Sequence, residues 1–488
     1  MGELEEQREG RIHKLNLLRE RGIEPYPYRY EVTHRAKDIL SHWETLFSSE
    51  ESVQAAGRIL AIRGHGKAAF ATLADETGRV QIYLREDQIG QVAYEAFKLF
   101  DIGDFLGVKG KVFKTRTGEI TIEVAEMSFL AKSLRPLPEK WHGLKDIETR
   151  SRQRYADLIM NPEVREAFRV RSHVITAVRS YLDKAGFLEV ETPVLQPQYG
   201  GAFARPFTAH HNALNQDLYL RISDELFLKR LIVGGYEKVY EIGKDFRNEG
   251  VDRQHNPEFT MLEAYQAYAD YHDMMGLVEG LITFVIREVK GDTKITYQGQ
   301  ELDFTPPWPR LSLLEGIEKQ TGLFVGPRTS AEEIASVCRK HGIEVGKTKS
   351  RGEGIDELFS GVVQPKLVQP CFITDYPWEM TPLAKKKRGD PNLVERFEPF
   401  AAGMELGNAF SELNDPLDQR ARFEAQAKMR AEGFEEAQPL DEDYLRAMEY
   451  GMPPTGGVGI GIDRLAMLLS DAHSIRDVIL FPLMRPEA

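Results

Sequence analysis

Cysteine is nearly absent from this sequence, since only Cys338 and Cys371 occur among 488 residues. Two isolated thiols cannot build a disulfide framework or a cysteine zinc site, so both kinds of small stabilised module are excluded. The sequence also lacks any apolar run near the roughly 18 residues of a membrane span. Its first residues are too acidic for a signal or transit peptide. We therefore predict a cytoplasmic protein with no membrane segment.

Net positive charge is lacking as well, because 63 basic and 76 acidic side chains leave a formal charge of -13. Taken alone, that balance argues against a nucleic-acid partner. The acidity is uneven, however, since the first 150 residues hold 23 basic and 24 acidic side chains. The excess belongs to the remainder of the chain, so the total charge does not exclude RNA contact by the N-terminal part.

The length exceeds the roughly 250 to 300 residues at which single cores stop growing, so at least two domains are expected. We predict an N-terminal helical arm over residues 1–50, where leucines are spaced among many charges. Residues 51–140 carry five short alternating segments punctuated by glycines, with a helix-compatible stretch at 88–99. This pattern is typical of an OB-type barrel. Many barrels bind no nucleic acid, so the pattern alone leaves the function of this domain open.

The remaining residues, 141–488, are predicted to form a second and larger domain. Strand-like runs and long helical stretches alternate there without a repeating βαβ rhythm, which favours the α+β class over a doubly wound sheet. The main runs are 218–222, 238–242, 258–265, 371–375, 397–404 and 456–462.

Two neighbouring segments combine an arginine, an aromatic ring and several carboxylates. They are 246–250 (Phe-Arg-Asn-Glu-Gly) and 255–263 (His-Asn-Pro-Glu-Phe-Thr-Met-Leu-Glu). A hairpin that opens with arginine can grip a triphosphate and a flat base together. An isolated Arg-x-Glu would instead be a surface ion pair, so the prediction depends on the whole string.

A third segment, 403–413, places Glu405 and Glu412 in a glycine-bearing strand and turn. Carboxylates in such a turn can bind a hard divalent cation such as Mg²⁺, with phosphate oxygens completing its coordination sphere. Paired glutamates without further context are more often solvated, so this prediction also depends on the neighbouring motifs.

The fourth segment, 456–465, alternates glycines along an apolar strand and ends in Asp463 and Arg464. Alternating glycine lets a ligand approach the backbone closely, and an arginine at a helix N-terminus is a natural phosphate site. We predict that Asp463 caps a helix that begins at Arg464. The string is neither a Walker nor a Rossmann loop.

These strings, in this order, resemble motifs two and three of the class II aminoacyl-tRNA synthetases, and residues 186–193 resemble motif one. In detail they are similar to the bacterial-type lysyl-tRNA synthetases, above all at 200–207, 219–226 and 407–415. The resemblance covers nearly the full chain. It implies an α+β protein in which a five-stranded OB-fold β-barrel that binds the anticodon precedes an antiparallel β-sheet flanked by helices.

The resemblance implies that the amino-acid carboxylate attacks the α-phosphate of bound ATP, with stabilisation by fixed cations and Mg²⁺. By motif match, Arg247 contacts the α-phosphate, Arg464 contacts the terminal phosphate, and Glu405 and Glu412 bind magnesium, with more than one ion per subunit. Phe259 stacks on adenine. The implied ATP-binding residues are Arg247, Glu249, His255, Asn256, Phe259, Glu405 and Arg464.

The choice of amino acid follows from charge. A lysine substrate brings an ammonium group into an enclosed pocket, where carboxylates must meet it. Synthetases for aspartate or asparagine need cationic or amide groups instead, so an acidic pocket discriminates against their substrates. The positions that match the family's lysine site are Gly201, Glu225, Glu263, Tyr265, Asn408, Phe410 and Glu412.

In the barrel, the family reads a uridine-rich anticodon by stacking and by hydrogen bonds to base edges. The matching residues are Arg63, Phe70, Gln81 and Glu119. Without the resemblance, the position of Phe70 between Ala69 and Ala71 favours a side chain in the barrel core.

The resemblance implies a homodimeric lysine-tRNA ligase, with motif one at the subunit interface. Such an enzyme activates L-lysine with ATP to lysyl-adenylate, releases pyrophosphate, and then transfers lysine to the 3′-terminal ribose of tRNA(Lys). Three alternatives remain open: a class II synthetase for aspartate or asparagine, a lysyl transferase that acts on a translation factor, and an inactive RNA-binding relative.

Overall fold

A computed structural model describes residues 2–138, 144–344, 350–431 and 439–486. The chain divides into two compact units, Met1–Lys145 and Asp146–Ala488. The boundary predicted near residue 140 falls within 139–143, outside the described residues. Within the described ranges, no helix is long and apolar enough to cross a membrane; the cytoplasmic location stays a prediction.

The N-terminal unit contains five helices and five strands over its described residues. The helices are α1 Glu3–Glu20, α2 Ala36–Ser41, α3 Trp43–Ser49, α4 Glu86–Ile89 and α5 Gln91–Phe97. The strands are β1 Ser52–His65, β2 Ala68–Ala74, β3 Arg79–Arg85, β4 Phe105–Lys114 and β5 Ile120–Ala131.

The five strands close into a barrel in the order β1-β2-β3-β5-β4. Burial alternates along β2 and β3, so every second side chain points into the barrel. Leu18 of α1 is fully buried in the same apolar cluster as the barrel interior. The N-terminal arm is therefore an integral part of this unit rather than a lightly packed extension.

The stretch predicted as helix-compatible at 88–99 is broken in two. Gly90 has φ +84°, a left-handed value that favours glycine, and it separates α4 from α5.

The C-terminal unit has eleven helices and fifteen strands over its described residues. The helices are α6 Ile147–Arg152, α7 Arg154–Met160, α8 Val164–Lys184, α9 Glu225–Val233, α10 Tyr271–Lys290, α11 Leu313–Thr321, α12 Ala331–Lys340, α13 Arg351–Val362, α14 Pro416–Ala431, α15 Glu442–Glu449 and α16 Ile462–Ser470. The strands are β6 Leu188–Glu189, β7 Leu195–Gln196, β8 Thr208–His211, β9 Gln216–Leu220, β10 Lys238–Phe246, β11 Glu258–Ala267, β12 Lys294–Tyr297, β13 Gln300–Asp303, β14 Arg310–Ser312, β15 Cys371–Pro377, β16 Lys386–Lys387, β17 Asp390–Ala401, β18 Met404–Glu405, β19 Gly407–Ser411 and β20 Thr455–Gly461.

A large sheet organises this unit, with the order β14-β15-β17-β19-β20-β11-β10-β6 and with β16 and β18 paired to β17. Its central pairs are antiparallel, and only the outer pairs β14–β15 and β10–β6 are parallel. Helices α8, α10 and α16 bury apolar faces in one core with the central strands. The predicted fold class, α+β with an OB barrel and an antiparallel sheet flanked by helices, is confirmed.

Helix α10 shows how local sequence sets the limits of these core helices. The Asp270 side chain accepts hydrogen bonds from the backbone N–H groups of His272 and Asp273 at its start, and Gly291 ends it at φ +81°. Between these ends the helix buries a row of apolar residues that includes Val278 and Leu281.

The single strand predicted over 397–404 is a hairpin. Ala402 and Gly403 have φ values of +53° and +69°, which turn the chain between β17 and β18. The turn places Glu405 opposite Phe400 of the preceding strand.

The predicted role of Asp463 as a helix cap is wrong. Helix α16 begins at Ile462, and its N-cap is Gly461. The Asp463 carboxylate instead accepts hydrogen bonds from the Thr260 backbone N–H at 2.6 Å and from Arg171 at 2.8 Å. It therefore ties α16 to β11 and α8, a contact that depends on residues distant in sequence.

Candidate active site

A cavity of about 490 Å³ lies against the central strands of the large sheet. All the residues that the sequence assigned to ATP, lysine and metal binding line it. They are Gly201, Glu225, Arg247, Glu249, His255, Asn256, Phe259, Glu263, Tyr265, Asn408, Phe410, Glu405, Glu412 and Arg464. The fold thus brings together side chains that are up to 263 positions apart in the chain.

Three carboxylates are buried in one part of this cavity: Glu225, Glu263 and Glu412. Glu263 accepts hydrogen bonds from the hydroxyl groups of Ser223 and Tyr265, each at 2.8 Å. Burial raises the pKa of Glu225 to about 7 and holds that of Glu412 well above its usual range. A cationic ligand placed here would favour the ionised forms.

A lysine that the sequence reasoning did not single out lies among these carboxylates. Lys229 on α9 has no exposed side-chain surface and forms ion pairs with Glu225, one turn earlier, and with Glu412. Burial by itself would lower the pKa of the Lys229 ammonium, but the two carboxylates raise it above its usual value. The ammonium is therefore charged and counters part of the acidity of the pocket.

The glycines of β20 make room for these side chains. A Cβ atom at Gly457 would lie 2.0 Å from Oε1 of Glu412 and 2.5 Å from the ring of Tyr265. In the register of the sheet, Gly459 lies between Glu263 on one side and Asn408 on the other. At Gly457 the space beside the backbone is occupied by side chains of the pocket itself, and the predicted approach of a ligand stays a prediction.

Two arginines supply positive charge elsewhere in the cavity. The guanidinium of Arg247 lies 5.0 Å from the ring centroid of Phe259, and its Nε donates to the carbonyl oxygen of Ile222 at 3.4 Å. Arg464 donates to the carbonyl oxygen of Glu405 at 2.8 Å and to its carboxylate at 3.2 Å. Both guanidinium groups are partly exposed to the cavity and can meet phosphate oxygens.

The loop between β10 and β11 contributes further polar groups. His255 lies between Asp252, at 2.8 Å from Nδ1, and Arg464, at 3.4 Å from Nε2. The side-chain nitrogen of Asn256 donates to the carbonyl oxygen of Glu258 at 2.6 Å. Its Oδ1 is buried and has no hydrogen-bond partner within the described part of the chain. The Oδ1 atom of Asn256 is available to a donor group of a ligand. Glu249 lies exposed at the rim of the cavity.

The predicted metal pair, Glu405 and Glu412, occupies two different surroundings. The charged groups that act most strongly on Glu412 are Lys229, Glu225 and Glu263. The carboxylate beside Glu405 is Glu398 of β17. Burial raises the pKa of Glu398 to about 7, and the nearby charge of Glu405 adds to that rise.

Comparison with known proteins agrees with this site. Residues 146–485 match the family described as class II tRNA synthetases for D, K and N, and residues 53–130 match the OB-fold nucleic acid binding domain. A protein of Moorella thermoacetica named lysine–tRNA ligase is 58% identical over 98% of this chain and 97% of its own length. A protein of the same name in Pelotomaculum thermopropionicum is 58% identical over 98% of this chain and 94% of its own length. Another in Carboxydothermus hydrogenoformans is 56% identical over 99% of this chain and 99% of its own length.

This chain belongs to the lysine–tRNA ligase family of class II synthetases. The resemblance found in the sequence is therefore confirmed, and so is the class of enzyme.

In this class II synthetase, the barrel residues predicted to read the anticodon lie outside the barrel core. Phe70 is partly exposed, pairs with Arg63 across β1 and β2, and stacks on Tyr83 with ring centroids 4.4 Å apart. The buried neighbours Ala69 and Ala71 point inward instead. Phe70 is thus available to a base, and Tyr83 extends its aromatic surface.

The other two predicted anticodon residues are connected through Thr121. The side-chain nitrogen of Gln81 donates to the Thr121 hydroxyl at 2.9 Å, and that hydroxyl donates to the carbonyl oxygen of Glu119 at 3.3 Å. Glu119 lies exposed in the turn before β5.

Sequence reasoning on this synthetase missed Lys229, Arg396 and Glu398, which all lie in or beside the cavity. Arg396 donates to Asn408 at 2.9 Å and to Glu398 at 2.5 Å, so it connects the predicted lysine slot to the carboxylate beside Glu405. The spacing of Glu225 and Lys229 could have indicated an i, i+4 ion pair. No local signal distinguishes Arg396 and Glu398 from ordinary charged residues of a strand.

A second acidic group lies behind the cavity. Oxygen atoms of Asp224, Asp245 and Glu263 lie within 4.8 Å of one another, and all three residues are buried. Burial, reinforced by Glu263, raises the pKa of Asp245 to about 7 and that of Asp224 well above its usual range. Arg221, 3.2 Å from Asp245, counters part of this negative charge.

Proposed function

We propose that the cavity forms lysyl-adenylate, the first product of the family's reaction. The activity is that of a lysine–tRNA ligase, which activates L-lysine with ATP and then charges tRNA. The observation that carries the assignment of the pocket is the buried set of Glu225, Glu263 and Glu412, two of which pair with Lys229. Such a set needs further positive charge, which a lysine substrate supplies.

Within this set, Tyr265 orients Glu263 through its hydroxyl group, while Asn408 and Phe410 bound the slot. Gly201 has φ +89° and lies beside Ser223 and Glu225, where a backbone group can meet the amino end of the substrate. An aspartate side chain would place a further negative charge among these carboxylates. The pocket therefore discriminates against acidic substrates.

ATP is held by the cationic part of the cavity. Arg247 contacts the α-phosphate and Arg464 the terminal phosphate, while Phe259 stacks on the adenine. His255, Asn256 and Glu249 line the nucleotide site, and the free acceptor of Asn256 can receive a hydrogen bond from the nucleotide. The lysine carboxylate oxygen attacks the α-phosphorus, the bond to the β-phosphate oxygen breaks, and pyrophosphate leaves. Arg247 and Arg464 stabilise the charge on the phosphoryl oxygens.

Magnesium would neutralise phosphate charge in this site, and the donor set fits it. Glu405 is 37% exposed at its side chain and already lies beside Arg464, so phosphate oxygens and the ion can reach it together. Of the two predicted ligands, Glu405 is retained. The geometry favours Glu398 over Glu412 as the second, because Glu398 shares its surroundings with Glu405 and Glu412 is engaged by Lys229. Carboxylates at both positions can hold more than one ion.

In the second step, the 3′-hydroxyl oxygen of the terminal tRNA ribose attacks the carbonyl carbon of the adenylate. The bond to the phosphate breaks, AMP leaves with the electron pair, and the hydroxyl proton is released. Selection of tRNA(Lys) is assigned to Arg63, Phe70, Gln81 and Glu119 on the barrel. The stack of Phe70 on Tyr83 supports this assignment, because base stacking is the usual means of holding single-stranded RNA.

A homodimer is part of the proposal. The motif-one segment and the two residues that follow it expose three apolar side chains, with Leu188 at 48%, Val194 at 41% and Leu195 at 50%. A second copy would remove these surfaces from water. Light scattering on the purified protein should give twice the 55.5 kDa chain mass; a monomer at micromolar concentration would contradict the proposal.

The decisive experiment is amino-acid-dependent exchange of labelled pyrophosphate into ATP, run without tRNA for each of the twenty amino acids. We expect exchange with lysine alone. Exchange with aspartate or asparagine would contradict the specificity, and no exchange with any amino acid would indicate an inactive relative. Charging of tRNA(Lys) in the same preparation distinguishes the ligase from a lysyl transferase that acts on a protein.

A further inference from the structure

Lys229 contacts four of the side chains assigned to the lysine substrate. Its ammonium forms ion pairs with Glu225 and Glu412, and neither Lys229 nor Glu412 has exposed side-chain surface. The same nitrogen lies 5.9 Å from the ring centroid of Tyr265 and 5.3 Å from that of Phe410. An internal lysine thus contacts the side chains that are assigned to a free lysine.

The third carboxylate of the pocket has a different set of partners. Glu263 accepts hydrogen bonds from two neutral hydroxyl groups, those of Ser223 and Tyr265. Lys229 therefore engages two of the three carboxylates directly. Glu263 is held instead by the two neutral hydroxyl groups.

The pocket places acidic side chains close together around one buried ammonium group. Lys229 bridges Glu225 and Glu412, and Arg396 donates to Asn408 at the other side of the slot. Without Lys229, Glu225 and Glu412 would face each other without the ammonium that bridges them. Repulsion and desolvation would then displace or neutralise those two carboxylates.

We propose that Lys229 is a positioning residue for substrate selection, which holds Glu225 and Glu412 in the geometry that receives a substrate with two ammonium groups. The inference rests on the proposed lysine activation in this cavity. Lys229 acts through the two glutamates and does not itself take part in phosphoryl transfer, which takes place at Arg247 and Arg464. Its removal should therefore weaken lysine binding and leave ATP binding unchanged.

The test is the Lys229→Met variant in lysine-dependent pyrophosphate exchange, with KM measured separately for lysine and for ATP. We expect the lysine KM to rise by at least about 30-fold, as when one partner of a buried charge pair is truncated. The ATP KM should stay within about twofold of the original value. Equal rises in both KM values, or an unchanged lysine KM, would overturn the proposal.

Lys132 provides a matched control in the N-terminal unit. Its side chain is also fully buried, and it forms ion pairs with Asp101 at 2.6 Å and with Asp104 at 2.7 Å. Lys132→Met loses a comparable buried ion pair, so it measures the effect of lost stability alone. We expect its two KM values to match those of the original protein; a raised lysine KM in this control would show that the readout follows stability rather than position.

A second variant covers the case in which Lys229→Met does not fold. The triple variant Lys229→Met/Glu225→Gln/Glu412→Gln removes the ammonium together with both of its acidic partners. If Lys229 acts through the two glutamates, the lysine KM of the triple variant should lie within about threefold of that of Glu225→Gln/Glu412→Gln. A larger rise would overturn the proposal. Failure of the original protein to exchange with lysine would instead refute the proposed function, so the two failures are distinguishable.

Discussion

Arg464 donates two hydrogen bonds to Glu405, one to the backbone carbonyl oxygen at 2.8 Å and one to the carboxylate at 3.2 Å. The two residues come from the first turn of α16 and from β18, which lie 59 positions apart in the chain. The contact puts the arginine that we propose for the terminal phosphate directly beside a carboxylate that suits a metal. The fold itself therefore holds these two side chains next to each other.

Arg464→Gln tests this arrangement. Loss of a fixed cation that stabilises charge in the transition state should lower the exchange rate by roughly 10²- to 10³-fold. The lysine KM should change little, because Arg464 is assigned to the phosphate and not to the amino acid. Steady-state exchange kinetics measure both quantities.

Arg446→Gln is the matched control, because Arg446 is 67% exposed at its side chain and pairs only weakly with Asp443 at 3.5 Å. Its kinetics should equal those of the original protein. Exchange in Arg464→Gln at the original rate would refute the phosphate assignment.

The two candidate metal carboxylates can be separated by titration with Mg²⁺. In Glu398→Gln, the Mg²⁺ concentration for half-maximal exchange should rise by about 10-fold or more, as expected when a carboxylate at a metal site is lost. In Glu412→Gln, the lysine KM should rise and the Mg²⁺ requirement should stay the same. If instead Glu412→Gln raised the Mg²⁺ requirement and Glu398→Gln did not, the metal ligands would be Glu405 and Glu412, as the sequence predicted.

Asp245→Asn should make the protein more stable at alkaline pH. The pKa of Asp245 in the folded protein, about 7, lies above the ordinary 3.8. The stabilisation associated with its proton is therefore complete below about pH 4 and is lost as the pH rises through 7. An asparagine needs no proton. The free energy of unfolding of the variant should therefore exceed that of the original protein by on the order of 1 kcal/mol or more at pH 8, and by much less at pH 5.

Urea unfolding at pH 5 and pH 8 measures this difference. Asp443→Asn is the control, since the Asp443 side chain is 66% exposed and pairs with Arg446 at 3.5 Å and with Arg230 at 3.1 Å. If Asp245→Asn changed the free energy of unfolding equally at both pH values, the explanation based on the raised pKa of Asp245 would be contradicted.

Phe70→Ala separates the two steps of the reaction. Loss of one stacking ring should raise the KM for tRNA by about 5- to 100-fold, since base stacking contributes 1 to 3 kcal/mol. Lysine-dependent pyrophosphate exchange should be unaffected, because Phe70 belongs to the barrel and not to the cavity. Phe47→Ala is the control, an aromatic side chain that is 55% exposed on α3. If Phe70→Ala reduced tRNA charging and pyrophosphate exchange equally, the assignment of Phe70 to the anticodon would be refuted.

The sequence alone determined the site residues that sit within recognisable strings. Arg247, Phe259, Glu263 and Arg464 were all assigned to one site, and all four line the same cavity. These strings are informative because each requires several side chains at fixed spacing on one strand or turn. Alternation along β2 and β3 likewise predicted the barrel, since burial has a period of two in a strand.

Only the tertiary structure decided the partners of the charged groups. Lys229 contacts side chains that we propose for lysine binding because α9 packs its buried face against β11 and β19. Glu398 is the neighbour of Glu405 because a hairpin turns at Gly403. Asp463, assigned locally as a helix cap, binds Thr260 and Arg171 instead. Periodicity and motif spacing report which way a side chain points along its own element. A carboxylate buried in the core is stabilised by whichever donor or cation the packing brings to it, and that depends on strand order and register.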